Sequence, residues 1–414
     1  MAHSHKTTVG RVIYTSTSVT DPATATAIAA AIKAHENTYH QPPVIVPPPV
    51  PPPVIVPPST RRFALPGTPS GIVVPASIDA TGQTDVSDAL TNFINAQSNG
   101  TRIFLPAGAH YKMTGHGVLI RDGMSNVIIE SDPANPATLL TFGSVIQSSA
   151  FVLGWGQGGC SHLTFRNLIH KGDNPDGGTP NAFHAGQESS EFLTAYHNES
   201  FIEIDSVHAT DLWGHGVYCG TTGTNVDTCD HFWIHDSIFE RTGLYGVVFA
   251  KMDTAWVERN SLIDIGGSPL GFEDGQAGEA IRHLYMGHNV LTRWFWAANS
   301  QTPHAIVGDG STGMVWDDIT IDSNRLTTGV ANAAGRYAND NGGLVSFWGS
   351  DNHTNIKIID NVSDVAQVGD AIRVQNGPGI VVQGNALQPS SGKTFDEWGS
   401  TCPGKVVTGN TPNP

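Results

Sequence analysis

The chain is poor in charge, in cysteine and in long apolar runs. Only 14% of its 414 residues are Asp, Glu, Lys or Arg. No apolar stretch approaches the roughly 18 residues of a membrane-spanning helix, so no membrane span is expected. Its bases are scattered and its net charge is −16. A nucleic-acid binder would show a basic stripe instead, and an acidic polysaccharide would need a local basic patch. The first residues, MAHSHKTTVGRVIYTSTS, lack the charged start, apolar core and cleavage site of a secretory signal. With four cysteines and no such signal, buried free thiols are expected. Cys219 and Cys229 are near enough in sequence to bridge within one loop; Cys160 and Cys402 are far apart.

Proline and glycine are abundant, and they divide the chain. Residues 1–41 form an N-terminal segment, in which DPATATAIAAAIKAHE (21–36) reads as a short helix. Asp21 suits its cap and Pro22 its first position. Residues 42–60 are a Pro-rich linker built on two copies of VIVPP. Proline fixes φ and removes donors, so this linker is expected to be polyproline II, spanning on the order of 50 Å. Residues 61–110 lead into the main body. Within them, 85–97 predicts an amphipathic helix with Val86, Ala89, Leu90, Phe93 and Ile94 on one face and Thr84 or Asp85 as cap. The main body is expected over 111–400, and 401–414 is a C-terminal tail.

The stretch TRIFLPAGAHYKM (101–113) stops a run of strand formers at Pro106-Ala107-Gly108 and restarts it at Tyr111. This is either a hairpin or a corner in a coiling strand, and the rest of the chain decides which. From residue 160 one phrase recurs: alternating apolar residues, then Asn or Asp, then apolar residues again. It appears as HLTFRNLI, FWIHDSIF, AWVERNSLI, LYMGHNVL, ITIDSNRL, IKIIDNVS and IVVQGNAL. FIEIDSVHA is a further copy, with Ser206 near the key place. The key positions are Asn167, Asp236, Asn260, Asn289, Asn324, Asn361 and Asn385. From 236 onward they are spaced by 24, 29, 35, 37 and 24 residues. A fixed minimum with variable excess means coils with loop insertions. Each phrase is too short to bury a face alone, so it must stack on copies of itself. Asn tolerates the left-handed backbone of a sharp corner, and its side chain can bond the Asn of the next coil. The expected fold is all-β: a single-stranded right-handed parallel β-helix with an N-terminal capping helix. Pro106-Ala107-Gly108 is then a corner.

The run DATGQTDVSDALTNFINA…GTRIFLPAGAHYKM resembles the N-terminal lead-in of pectate-lyase-like β-helix proteins, which include polygalacturonase-like enzymes and bacteriophage tailspikes. With the Asn repeats the resemblance extends over residues 78–390. It implies the fold but not one chemistry, because this fold hosts lyases, hydrolases and adhesins. The polygalacturonase pattern is not met. Gly214-His215-Gly216 has no Asn-Thr-Asp before it, Asp317-Asp318 follows it, and Ile372-Arg373-Val374 is only a faint echo of Arg-Ile-Lys. The layout of N-terminal segment, Pro-rich spacer and β-helix is similar to that of phage tail proteins. It implies a virion location, tail-protein partners for residues 1–60, and a homotrimer.

Loops following the corner positions are expected to emerge on one side and line a groove, with adjacent coils about 4.8 Å apart. The candidate catalytic residues are Glu240, Glu273, Asp274, Asp211 and His215, with Glu240 and Glu273 or Asp274 as the preferred pair. Carboxylates on neighbouring coils suit a retaining glycosidase, and those two coils apart an inverting one. Trp213, Trp294 and Trp296, with Arg241 and Arg293, are the candidate glycan-binding residues, since aromatic faces stack on sugars. No histidine pair has the local spacing of a zinc site. HFWIH places His231 and His235 at opposite ends of one phrase. No metal and no cofactor is expected. The chain reads as a phage minor tail or tailspike-like protein that contacts host-surface glycans, with or without cleaving them. The alternatives are a polysaccharide hydrolase or lyase of this fold, and a purely structural tail component.

Overall fold

A computed structural model describes residues 6–9, 12–15, 62, 70–143, 149–154, 156, 158–179, 181–184, 186–187, 189–220, 227–273, 279–294, 304–309, 314–328, 343–348, 352–364, 370–389, 391–397 and 401–412. The expected 21–36 helix and the Pro-rich linker lie outside these residues. The chain divides into two units, residues 1–61 and 62–414. In the first, Lys6–Val9 pairs antiparallel with Val12–Thr15.

The second unit is a parallel β-helix. Its strands fall into three long parallel sheets, and each coil visits them in the same order. Sheet I runs from Ser70–Val73 to Val406–Thr408, sheet II from Thr81–Asp85 to Thr411–Pro412, and sheet III from Val118–Leu119 to Phe395–Asp396. Sheets I and II thus continue past residue 400, where the sequence reading placed a tail. Parallel crossovers of L-residues wind right-handed. The stretch TRIFLPAGAHYKM turns a corner: Thr101–Phe104 belongs to sheet I and His110–Met113 to sheet II, and the two do not pair. Gly108 has φ +65°, and a Cβ there would lie 2.6 Å from the Asn135 side chain.

The core is built of like residues stacked coil on coil. One column runs Ile204, Ile234, Val257, Met286, Ile321, Ile358, Val382, and all are fully buried. Every second residue of a strand points the same way. A column of this kind therefore buries apolar area continuously, though no coil could do so alone.

The corner between sheets I and II corrects the sequence reading in one detail. Left-handed backbone falls on Asn167, Ser206, Asp236, Arg259, His288, Ser323 and Asp360. The ladder-forming asparagines come one residue later. Asn260, Asn289, Asn324, Asn361 and Asn385 are buried, and each donates its backbone N–H and Nδ2 to Oδ1 of the next, ending on Asn410. Ser237 takes the equivalent place one coil earlier, its N–H donating to Asn260 Oδ1 at 3.0 Å. Asn167 and Asp236 are therefore turn residues, and not rungs of the ladder.

The helix spans Ser87–Asn95, within the expected 85–97. Val86, Leu90 and Ile94 are buried as expected, while Ala89 faces solvent. Asp85 Oδ1 accepts the Ser87 N–H at 3.0 Å, while Thr84 bonds Asp79 instead. The helix lies against the end strand of sheet III and satisfies its open edge. Asn95 Nδ2 donates to Leu119 O at 2.7 Å, and Thr91 Oγ1 accepts the Leu119 N–H at 3.3 Å. An unpaired edge would otherwise template association with another chain.

Candidate functional site

The candidate residues do not share one groove. Asp211, Glu240, Arg241 and Arg293 sit on sheet II. Asp211, Arg241, Asp264 and Arg293 occupy the same register in successive coils, all with left-handed φ. Their charges alternate. Arg241 binds Asp211 through Nε at 2.6 Å and Nη2 at 3.2 Å, and Arg293 Nη2 binds Asp264 at 2.7 Å. Glu240 is held by His208 at 3.2 Å, by Arg241 at 3.0 Å and by Thr210 at 3.2 Å. The His208 hydrogen bond is the main reason its pKa is lowered. This is a charge ladder whose members neutralise one another.

The tryptophans also separate. Trp294 is fully buried in the core and presents no face to a sugar. It occupies the inward-facing register of its strand, where alternation puts every second side chain inside. Trp213 is half-buried, edge-on to His184, with its indole N–H donated to Asp173. Asp274 and Trp296 lie outside the described residues. All four cysteines are free and buried, so Cys219 and Cys229 are not bridged.

His215 and Glu273 do come together, on sheet III. Four successive strands, Leu193–Ala195, Val217–Cys219, Val247–Phe249 and Leu270–Phe272, place their flanking residues in one patch. Glu191 precedes the first, His215 the second and Tyr245 the third; Glu273 follows the fourth. The His215 ring is buried and stacks on Tyr245, with planes 9° apart. Its Nδ1 accepts the Tyr245 backbone N–H at 3.3 Å, which leaves Nε2 to carry the proton. Nε2 lies 3.9 Å from Glu273 Oε1. Burial keeps His215 neutral, with its pKa brought down to about 3. Tyr218 lies beside His215 and hydrogen-bonds Glu273; burial and the nearby glutamates push its phenol well up, so it stays a donor. Tyr245 owes its position to Gly271, where a Cβ would come within 2.8 Å of the ring.

Glu191 is the residue that sequence reasoning missed. It is 3% exposed, with Thr194 Oγ1 donating to its Oε2 at 2.7 Å and Ser149 bonded to the same oxygen. Burial pushes its pKa up to about 7; the two hydroxyls partly offset this and the charge of Glu273 adds to it. A buried carboxyl that keeps its proton near neutrality, within electrostatic reach of a 28% exposed carboxylate, can supply a proton where the other receives one. The signal in the sequence was faint. GHGVYC, LYGVVF and SPLGF take equivalent places in successive coils, but sheet III strands of three residues are too short to show alternation. Among the described residues, one His–carboxylate group has metal-ligand spacing, and it lies on sheet I.

No protein-family model and no curated protein matches the chain. Its structure is similar to that of ORF18 of Geobacillus virus E2, at 12% identity and TM-score 0.46, covering 95% of this chain and 66% of the viral one. It is also similar to an exopolygalacturonase from Thermotoga maritima, at 11% identity and TM-score 0.48, covering 79% of this chain and 89% of that one. A family 28 exopolygalacturonase of Yersinia enterocolitica is similar at 10% identity and TM-score 0.46, covering 83% and 78%. At such identities the likeness concerns the β-helix fold alone.

Proposed function

We propose that the protein binds a glycan across the outer face of sheet III and hydrolyses it there. The observation that carries this is the pair of glutamates, one buried and protonated near neutrality, the other partly exposed. Glu191 gives its proton to the glycosidic oxygen as the C–O bond breaks. Glu273 takes the proton of the water that attacks the anomeric carbon. The Tyr218 hydroxyl orients Glu273, and His215 Nε2 stands 3.9 Å from it. Tyr245 and Tyr196 wall the patch with aromatic surface suited to sugar faces. The sequence supports a setting for this site on a bacteriophage tail: residues 1–41 anchor in the virion, residues 42–60 link them to the β-helix, and a homotrimer presents three copies of the patch to host-surface polysaccharide.

The test is to incubate the full chain with host envelope polysaccharide and follow both reducing ends and unsaturated products. Hydrolysis gives reducing ends with no unsaturated sugar. Binding without release makes the protein an adhesin, and neither binding nor release leaves a structural tail component. A control separates the two carboxylate groups. Glu240→Gln is expected to leave release within about twofold of wild type and to cost no more than about 1 kcal/mol in denaturant unfolding, because a partly exposed charge ladder contributes little. Loss of release in that variant would return the site to sheet II.

A further inference from the structure

Among the described residues outside the sheet III patch, one group of His and carboxylate side chains brings its donor atoms close together. We propose that Glu203, Asp205 and His235 form a binding site for a divalent transition-metal ion of the zinc class. One ligand atom from each lies within 4.8 Å of the other two. Glu203 and Asp205 are two residues apart on Ser200–Asp205 and so share its outer face. His235 is the direct neighbour of Asp205 on the next coil. Because the three come from two coils, no local spacing in the sequence reveals them.

The ring of His235 is fixed as a metal-binding imidazole is fixed. Its Nδ1 lies 2.7 Å from Asp236 Oδ2, and its face stacks on Trp233 at 3.7 Å. A metal-bound histidine donates its other nitrogen to a carboxylate in this way, which sets the tautomer and presents Nε2 as the ligand. The residue is only 5% exposed, Asp205 Oδ1 stands 3.8 Å from Nδ1, and Nε2 is buried and faces Glu203. It lies 3.5 Å from Glu203 Oε1. That is long for a hydrogen bond. It is the separation of two ligands on a tetrahedral ion, which stand about 3.4 Å apart when each is about 2.1 Å from the metal. Glu203 is oriented in turn, its Oε2 accepting from Thr164 at 2.8 Å, and Asp205 Oδ1 accepts from Ser206 at 2.7 Å. One imidazole and two carboxylates suit zinc or manganese; calcium prefers six to eight oxygens.

Zinc titration of the chelator-stripped full chain, in competition with a chromophoric chelator, tests the site. The expected result is one zinc per chain, with affinity reduced at least about tenfold in His235→Ala and Glu203→Gln, as loss of a ligand demands. His231→Ala, on the same strand, is expected to leave affinity unchanged. X-ray absorption at the zinc edge is expected to show nitrogen and oxygen neighbours at about 2.0–2.2 Å. Should His235→Ala fail to fold, the partly exposed Asp205→Asn reads the same site. No stoichiometric zinc, equal affinity in the ligand variants, or binding of calcium in preference to zinc overturns the proposal and leaves His235 a protonated partner of its carboxylates.

Discussion

Glu191→Gln is expected to lower glycan turnover by about two to four orders of magnitude, the range contributed by a positioned acid. Glutamine fills the same space and can still accept from Thr194 and Ser149, but it has no proton to give. In wild type the rate should fall as pH rises through about 7, where Glu191 loses its proton. The variant's residual rate should lack that limb. Stability moves in the opposite sense. The carboxyl keeps its proton to about pH 7 when folded but releases it near 4.5 when unfolded. Between those values the folded state holds the extra proton, so raising the pH destabilises it. The loss starts near 4.5 and is complete above about 7. It amounts to about 3 kcal/mol at about 1.36 kcal/mol per unit. Glu191→Gln should remove that slope, leaving a chain more stable at pH 8 yet with only that residual rate. Denaturant unfolding from pH 4 to 8, beside initial rates over the same range, measures both. Full turnover in the variant would move the acid elsewhere; lost turnover with an unchanged stability slope would mean that Glu191 is not held protonated.

Asn324→Leu is expected to destabilise the β-helix by about 3–6 kcal/mol. Asn324 Nδ2 donates to Met286 O at 2.9 Å and to Asn361 Oδ1 at 3.0 Å. Its Oδ1 accepts from Asn289 N at 3.1 Å and from Asn289 Nδ2 at 3.0 Å. Leucine keeps the volume and loses all four bonds. The buried Asn289 N–H, one Asn289 amide hydrogen and the Met286 carbonyl are then unpaired, at about 1–3 kcal/mol each. Asp236→Ala makes the contrast, since that residue is on the exposed side of the corner and is not a rung. The variant should cost less than half as much. Equal losses in a thermal melt would mean that the corner backbone, and not the ladder, carries the stability.

Much of the fold was legible in the sequence because its cause is local and repeated. The phrases from HLTFRNLI to IVVQGNAL alternate with period two and end in a polar corner residue. Apolar columns and an asparagine ladder follow once such phrases stack. The amphipathic run around Val86, Leu90 and Ile94 gave the helix that closes one end for the same reason. The one-residue error at Asn167 and Asp236 arose because Asn and Asp suit both a left-handed turn and a ladder rung. Only register against the next coil separates the two roles.

The site was less legible, and here the reason is geometric. His215 and Glu273 stood out as polar residues in glycine-rich loops, but Glu240 stood out as strongly, and nothing local shows that Arg241 and His208 already hold it. Glu191 drew no notice in QESSEFL. Its burial depends on Ser149 and Thr194, and its partner Glu273 is three coils away. Trp294 reads as an exposed aromatic in RWFWAAN until strand alternation turns it inward. The sequence by itself determined that the chain coils, where it turns and what fills the coil, since these rest on contacts between like positions of successive repeats. The tertiary structure alone decided which outward side chains share a face, because loop insertions of unequal length separate them in sequence while the constant rise of the coils brings them together.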